Sequence, residues 1–193
     1  NMRTVTGLFD SYSAAQDAVA RLESAGFPSD DISIVSHHDE KESNAGSGAG
    51  VGAGLGAAVG GAGGLLAGLG IMAIPGVGPV VAAGWLAATL TGAVGGAVVG
   101  GVAGGLIGAL TESGVSEDDA HVYAESVRRG GSLVTARVDD ERYAEADSIL
   151  AGTSRVDVAT RRKLYTEEGW QRFDADADPY TPEEVERERS RYL

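Results

Sequence analysis

Three runs of this chain hold residue types that bind ions or phosphates. His37-His38-Asp39-Glu40 sets four metal-ligating types side by side. A metal needs side chains that converge on one point, and consecutive strand residues point to opposite faces. The run therefore reads as a polar strand end. Asp174, Asp176 and Asp178 open like a calcium loop. The sixth position is then Pro179 where glycine is needed, and the twelfth is Val185 where glutamate is needed. A solvated acidic turn is expected instead. "GAGVGAG" and "GLGAAVG" imitate phosphate-cradling glycine loops, but no Lys-Ser/Thr follows and the pattern runs on far too long. His121 stands alone in a helical pattern, and Arg128-Arg129 sits where a helix ends, which accounts for both cations. No Ser/His/Asp set stands out, nor a basic stripe with aromatics. The expectation is a chain with no catalytic residues, no cofactor, no metal and no nucleic-acid partner.

The elements around these residues are easier to read. "RTVTGLF" (Arg3–Phe9) is a β-branched strand pattern. The sequence as it begins thus reads as a strand, and no leader segment is expected in it. A helix follows, with Ser13 and Gln16 as a capping box, Ala15, Ala18, Val19 and Leu22 on one face, and Gly26 at its stop. "DISIVSH" (Asp31–His37) is a second strand. Farther on, Ser116 heads a helix with acids in its first turn and Arg128, Arg129 and Gly130 at its end. "SLVTARV" (Ser132–Val138) is a third strand. A helix with Tyr143, Ala146, Ile149 and Leu150 inward comes next, then "RVDVAT" (Arg155–Thr160) as a fourth strand. Joined across the middle, this order predicts an α+β fold: a split ferredoxin-like plait of four antiparallel strands with two helices on one face.

Charge divides the same chain. The net charge is −13; residues 1–42 carry 3 basic and 8 acidic groups, residues 112–193 carry 12 and 20, and Ser43 to Thr111 carries none. Such a surface repels nucleic acid and anionic headgroups. There is no cysteine, so disulfides and thiolate chemistry are excluded. The expected units are 1–42 and 112–163 as the two halves of the plait, 43–111 as an insertion, and 164–193 as a tail with a short helix.

The insertion has a period. Gly48, Gly52, Gly56, Gly60, Gly64 and Gly68 fall every fourth residue, as do Gly92, Gly96, Gly100, Gly104 and Gly108. Glycine at this spacing makes a flat helix face that permits close backbone approach. Pro75, Gly76, Gly78 and Pro79 mark a turn between two helical arms, Gly48–Ala73 and Pro79–Leu110. Each arm would reach at least ~36 Å, enough to cross a ~30 Å hydrocarbon layer. Trp170, Phe173 and Tyr180 are bulky for a tail, so the tail is expected to dock, and Thr181, Pro182 and Glu184 supply N-cap, N1 and N3 of its helix.

"TVTGLFDSYSAAQDAVARLESAGFPSDDISIVS", the glycine block with "IPGVGPVVAAG", and "GVSEDDAHVYAESVRRGGSLVTARVDDERYAEADSIL" together resemble the bacterial general stress protein family, the heat-induced stress protein domain. The resemblance covers about residues 3–160, and its motifs are structural. It implies a stress-associated protein, often labelled a membrane protein, with no established activity and no catalytic residues.

The functional expectation is a non-enzymatic stress protein at the cytoplasmic membrane, its soluble domain in the cytoplasm, with a glycine-zipper hairpin that inserts in or associates with the bilayer and drives self-association. The alternatives are a soluble cytoplasmic homo-oligomer with hairpins buried at its centre and tails clasping neighbours, and a small-ligand-sensing plait, which rests on fold analogy.

Overall fold

The computed structural model of the chain describes residues 1–38, 64–92 and 105–193. Gly48, Gly52, Gly56, Gly60, Gly96, Gly100 and Gly104 lie outside the described residues, as do Asp39 and Glu40.

Strand β1 (Met2–Phe9) leads into α1 (Tyr12–Ser24), then β2 (Ile32–His37). The cap of α1 is Ser11, whose hydroxyl accepts from the Ala14 amide. Ser13, the expected cap, is the second residue of the helix. Strands β3 (Gly70–Ile74) and β4 (Gly78–Gly84) follow, then α2 (Trp85–Thr91), α3 (Gly105–Glu112), α4 (Glu117–Arg128) and β5 (Ser132–Asp139). The chain closes with α5 (Tyr143–Ala151), α6 (Val158–Glu167) and α7 (Pro182–Ser190). Ser116 caps α4 by accepting from the Asp119 amide, and Thr181 and Glu184 close a capping box on α7.

Among the described residues the sheet has five antiparallel strands in the order β1-β5-β2-β4-β3. It replaces the four-stranded plait. Strand β5 fits between β1 and β2, with Gly7 opposite Val134 and Ile34 opposite Val134 on its other side. The expected fourth strand is absent: Arg155–Asp157 touches β1 through one bond, from the Val156 amide to the Leu8 carbonyl at 2.8 Å, and the chain then turns into α6. The cause is local. The Asp157 carboxylate accepts from the Ala159 and Thr160 amides, capping a helix where alternation suggested a strand.

The larger correction concerns the middle block. Gly70–Ile74 and Gly78–Gly84, both assigned to helical arms, are strands that extend the same sheet, with Val35 opposite Ala82. Pro75, Gly76, Gly78 and Pro79 do form a turn, but it joins strands. The Val77 amide donates to the Ile74 carbonyl at 3.0 Å, with Pro75 second and Gly76 third at φ +80°, the arrangement of a type II turn. β-Branched residues around such a turn favour a hairpin of strands over a helix, which glycine destabilises. The second arm is also interrupted at its ends. Gly92 is a left-handed C-cap that stops α2, and Gly105 opens α3 at φ +60°. Gly64 is extended, a Cβ at Gly68 would meet nothing within 4 Å among the described residues, and Gly108 lies within α3. No helix among the described residues is long and apolar enough to cross a membrane.

Helices cover both faces of the sheet, where one covered face was expected. On one side α1 and α5 pack Val19, Leu22, Ala146 and Leu150 against Val5, Phe9, Ile32, Ile34, Val134 and Ala136. On the other, α2, α3 and α4 pack Leu86, Leu106, Leu110, Ala124 and Val127 against Leu8, Val35, Val80 and Leu133. Strand β2, in the middle, is buried at all six positions. Its serines survive there by pairing with β5: Ser33 with Thr135, and Ser36 with Ser132 at 2.6 Å.

Candidate functional site

The densest chemistry among the described residues sits where the C-terminal segment crosses the end of α4. Glu125, 2% exposed, accepts from Arg128 Nη1 at 2.9 Å and from Arg129 Nε at 2.7 Å. Arg129 continues toward Glu168 at 3.5 Å and Glu188 at 3.6 Å, with its guanidinium 4.0 Å over the Tyr165 ring. Burial alone would lower the pKa of Arg129; the hydrogen bond and charge of Glu125 outweigh it and raise the value. Arg161 grips Asp10 with two parallel bonds of 2.8 and 3.0 Å and lies 3.6 Å under the Tyr192 ring. Buried Tyr165 shares a 3.0 Å hydrogen bond with Ser126, and desolvation raises its pKa.

The tail fits this end of the domain closely. Phe173 is buried in the core beside α4, Tyr180 lies 4.7 Å over Arg128, and Trp170 meets Tyr165 edge to face at 5.7 Å. Val185 is 1% exposed and fills the space beside Gly130, where a Cβ would come within 2.7 Å of it. The turn and tail residues singled out from the sequence meet here. A Cβ at Gly76 would lie 2.6 Å from the Asp174 carbonyl and 2.8 Å from Phe173, and one at Gly78 would lie 2.9 Å from Pro179. The β3–β4 turn therefore needs its glycines twice, for positive φ and for contact with the tail.

Sequence reasoning read Arg129 only as a helix-end cation and missed its partner Glu125, and it missed Arg161 and Asp10, which are 151 positions apart. His121, read from the sequence as a lone helix residue, accepts at Nδ1 from the Phe173 amide at 3.2 Å. The other ring nitrogen, Nε2, lies 3.7 Å from Glu117. Among the described residues no group of three or more His, Asp or Glu side chains is placed to hold a metal ion. His37 is buried in β2 and His38 turns its amide to the Pro79 carbonyl at 2.9 Å. Each buried charge at this site is answered by an opposite one. The cluster works as a clasp for the tail, and it offers no free base or nucleophile.

The clasp is sensitive to acid. The Arg191 hydrogen bond holds Glu168 below its ordinary value of 4.5 against the opposing effect of burial, and the Thr181 amide does the same for Glu184. Both carboxylates therefore stabilise the docked tail above pH 4.5, and the contribution is lost as pH falls below it. In a Trp85→Phe background, Trp170 emission is expected to shift to the red below that pH. A flat profile down to the global unfolding transition would contradict the clasp.

Residues 4–72, from β1 into β3, match the family model of the heat induced stress protein YflT domain. No curated protein and no solved structure matches the chain.

Proposed function

We propose, for a chain whose residues 4–72 match the heat induced stress protein YflT domain, a non-enzymatic role exercised by self-association. One observation carries the reading. Among the described residues strand β3 ends the sheet, and its sequence GIMAI has neither a charge nor a proline to protect the edge. Natural edge strands are commonly blunted by such residues. Here Gly70, Ile71 and Ala73 are exposed, and Ile71, at 53%, is among the most exposed large apolar side chains described. A second copy offers the matching strand, related by a two-fold axis, and would continue the sheet through both subunits. The uncharged stretch Ser43–Thr111, from which β3 comes, adds no repulsion between copies that otherwise carry −13 each. The expected test is sedimentation velocity. The wild-type chain runs as a dimer or larger, and Ile71→Lys runs as a monomer. A monomeric wild type at about 100 μM loading, where even micromolar edge pairing registers, overturns the proposal. Liposome flotation separates it from lipid association, in which the chain would float irrespective of residue 71.

A further inference from the structure

At the opposite edge of the sheet, two carbonyls of β1 are already spent. The Val156 amide donates to the Leu8 carbonyl at 2.8 Å, and Arg155 Nη1 donates to the Thr6 carbonyl at 3.4 Å. What binds beside them must be read by side chains. The space there is a cleft of about 440 Å³. Tyr143, Asp147 and Ala151, four residues apart and so on one face of α5, line it together with Tyr123 of α4 and the segment from Arg155 to Val158. The volume lies within the ~300–1,000 Å³ range of small-ligand sites, and Leu8, Ala151, Val156 and Val158 supply apolar surface.

The polar lining is partly unspent. Arg155 Nη1 donates to Asp147 Oδ1 at 2.6 Å, while its Nε and Nη2 have no partner among the described residues and 25% of the side chain is exposed. Those two nitrogens are a pair that grips a carboxylate with parallel bonds. Asp147 keeps Oδ2 unpaired among the described residues and is 43% exposed. Asp157 accepts from the Ala159 and Thr160 amides at Oδ1 and has Oδ2 left. The hydroxyls of Thr6 and Tyr123 share one hydrogen bond of 2.7 Å, so one of their two hydrogens is still available. Burial raises the pKa of Tyr123 and keeps its hydroxyl protonated.

These charges select the ligand. A simple anion drawn to Arg155 also meets Asp147 and Asp157, and a simple cation drawn to the carboxylates also meets Arg155. A ligand that carries both charges side by side satisfies both. In an α-amino acid the ammonium nitrogen and the carboxylate carbon are ~2.5 Å apart. That spacing is close to the 2.6 Å between Arg155 Nη1 and Asp147 Oδ1. Laid antiparallel to this ion pair, the ligand's two charges each face the opposite one.

We propose that this cleft binds a free α-amino acid with an apolar side chain, its carboxylate on Nε and Nη2 of Arg155, its ammonium on Asp147 and its side chain against Val156 and Val158. Pairing at β3 plays no part in it. The test follows amide shifts of the full isotope-labelled chain during titration with L-leucine and, separately, L-phenylalanine, each beside its decarboxylated amine and its deaminated acid. The expected result is saturable shifts at Thr6, Asp147 and Arg155 and none at Ile71. Removing either charge from the ligand weakens binding by about tenfold or more, as the loss of a charged hydrogen bond does. Arg155→Met, with its spectrum unchanged away from the cleft, binds the amino acid no better than the wild type binds the amine. The analogue series needs no variant and decides the matter even where Arg155→Met does not fold. Three results overturn the proposal. The first is no saturable shift from either amino acid up to about 10 mM, weaker than a millimolar site. The second is an amine or acid that binds as tightly as its parent, the mark of a site that reads one charge. The third is undiminished binding by folded Arg155→Met.

Discussion

Gly84→Ala is expected to cost at least ~4 kcal/mol, a large share of the ~5–15 kcal/mol that holds a domain of this kind together. Gly84 ends β4 at φ +88°, ψ −161°, a region that is essentially glycine's own. A Cβ there would lie 2.9 Å from Ser33 Cα and inside the contact distance of the Ile32 carbonyl oxygen. Both belong to backbone in the buried central strand, which cannot give way as a flexible side chain does. The substitution also separates two accounts of the middle block. Within a helix over 79–110, Gly→Ala would stabilise by up to ~1 kcal/mol. In the β3–β4 hairpin it abolishes most of the stability. Urea unfolding of Gly84→Ala beside Gly68→Ala measures the difference, because a Cβ at Gly68 meets nothing among the described residues. Equal midpoints for the two variants would remove the hairpin from the account.

Glu125→Ala is the second large effect. The carboxylate is the shared partner of Arg128 and Arg129, and the Arg129 side chain is 10% exposed. Its removal leaves buried positive charge without its closest partner, a loss of ~3–5 kcal/mol in comparable cases. At ~2–4 °C per kcal/mol for a chain of this size, the melting temperature should fall on the order of 10 °C. Glu125→Gln keeps an acceptor oxygen and should fall between alanine and wild type. The comparison is Arg21→Ala, which breaks a 2.9 Å pair to Asp17 whose side chains are 57% and 53% exposed. Water screens that pair, and its loss should cost under ~1 kcal/mol. Similar melting temperatures for Glu125→Ala and Arg21→Ala would show that the clasp does not hold the tail.

What could be read from residues alone was what is local. Ser116 with three acids behind it, and Thr181-Pro182 with Glu184, announce helix starts because cap and partner lie within one turn. β1, β2 and β5 were readable for the same reason, as short β-branched runs between turn residues. Two failures came from patterns with competing periods. Arg155–Thr160 alternates like a strand, but Asp157 caps a helix whose buried residues, Arg161 and Tyr165, find their partners on Asp10 and Ser126 far away in the chain. Glycine every fourth residue suggested helical arms. The Pro75-Gly76 pair with β-branched neighbours was the better local signal, and it was masked by a longer regularity. Of the clasp, the aromatic residues of a docking tail were legible, but the surface they dock on was not. Nothing in the vicinity of Gly76 announces that the backbone of Asp174 and Ala175 will rest on it.

The place of β5 between β1 and β2 also sets an order in time. Ser33 and Thr135, neighbours across the sheet, are 102 positions apart. On a ribosome adding ~5–20 residues per second, the first strand–helix–strand unit waits on the order of 5–20 s for its missing centre. Through that interval β1 and β2 have an open slot between them and apolar side chains on both faces, so newly made chains are the form of this protein most in need of a chaperone.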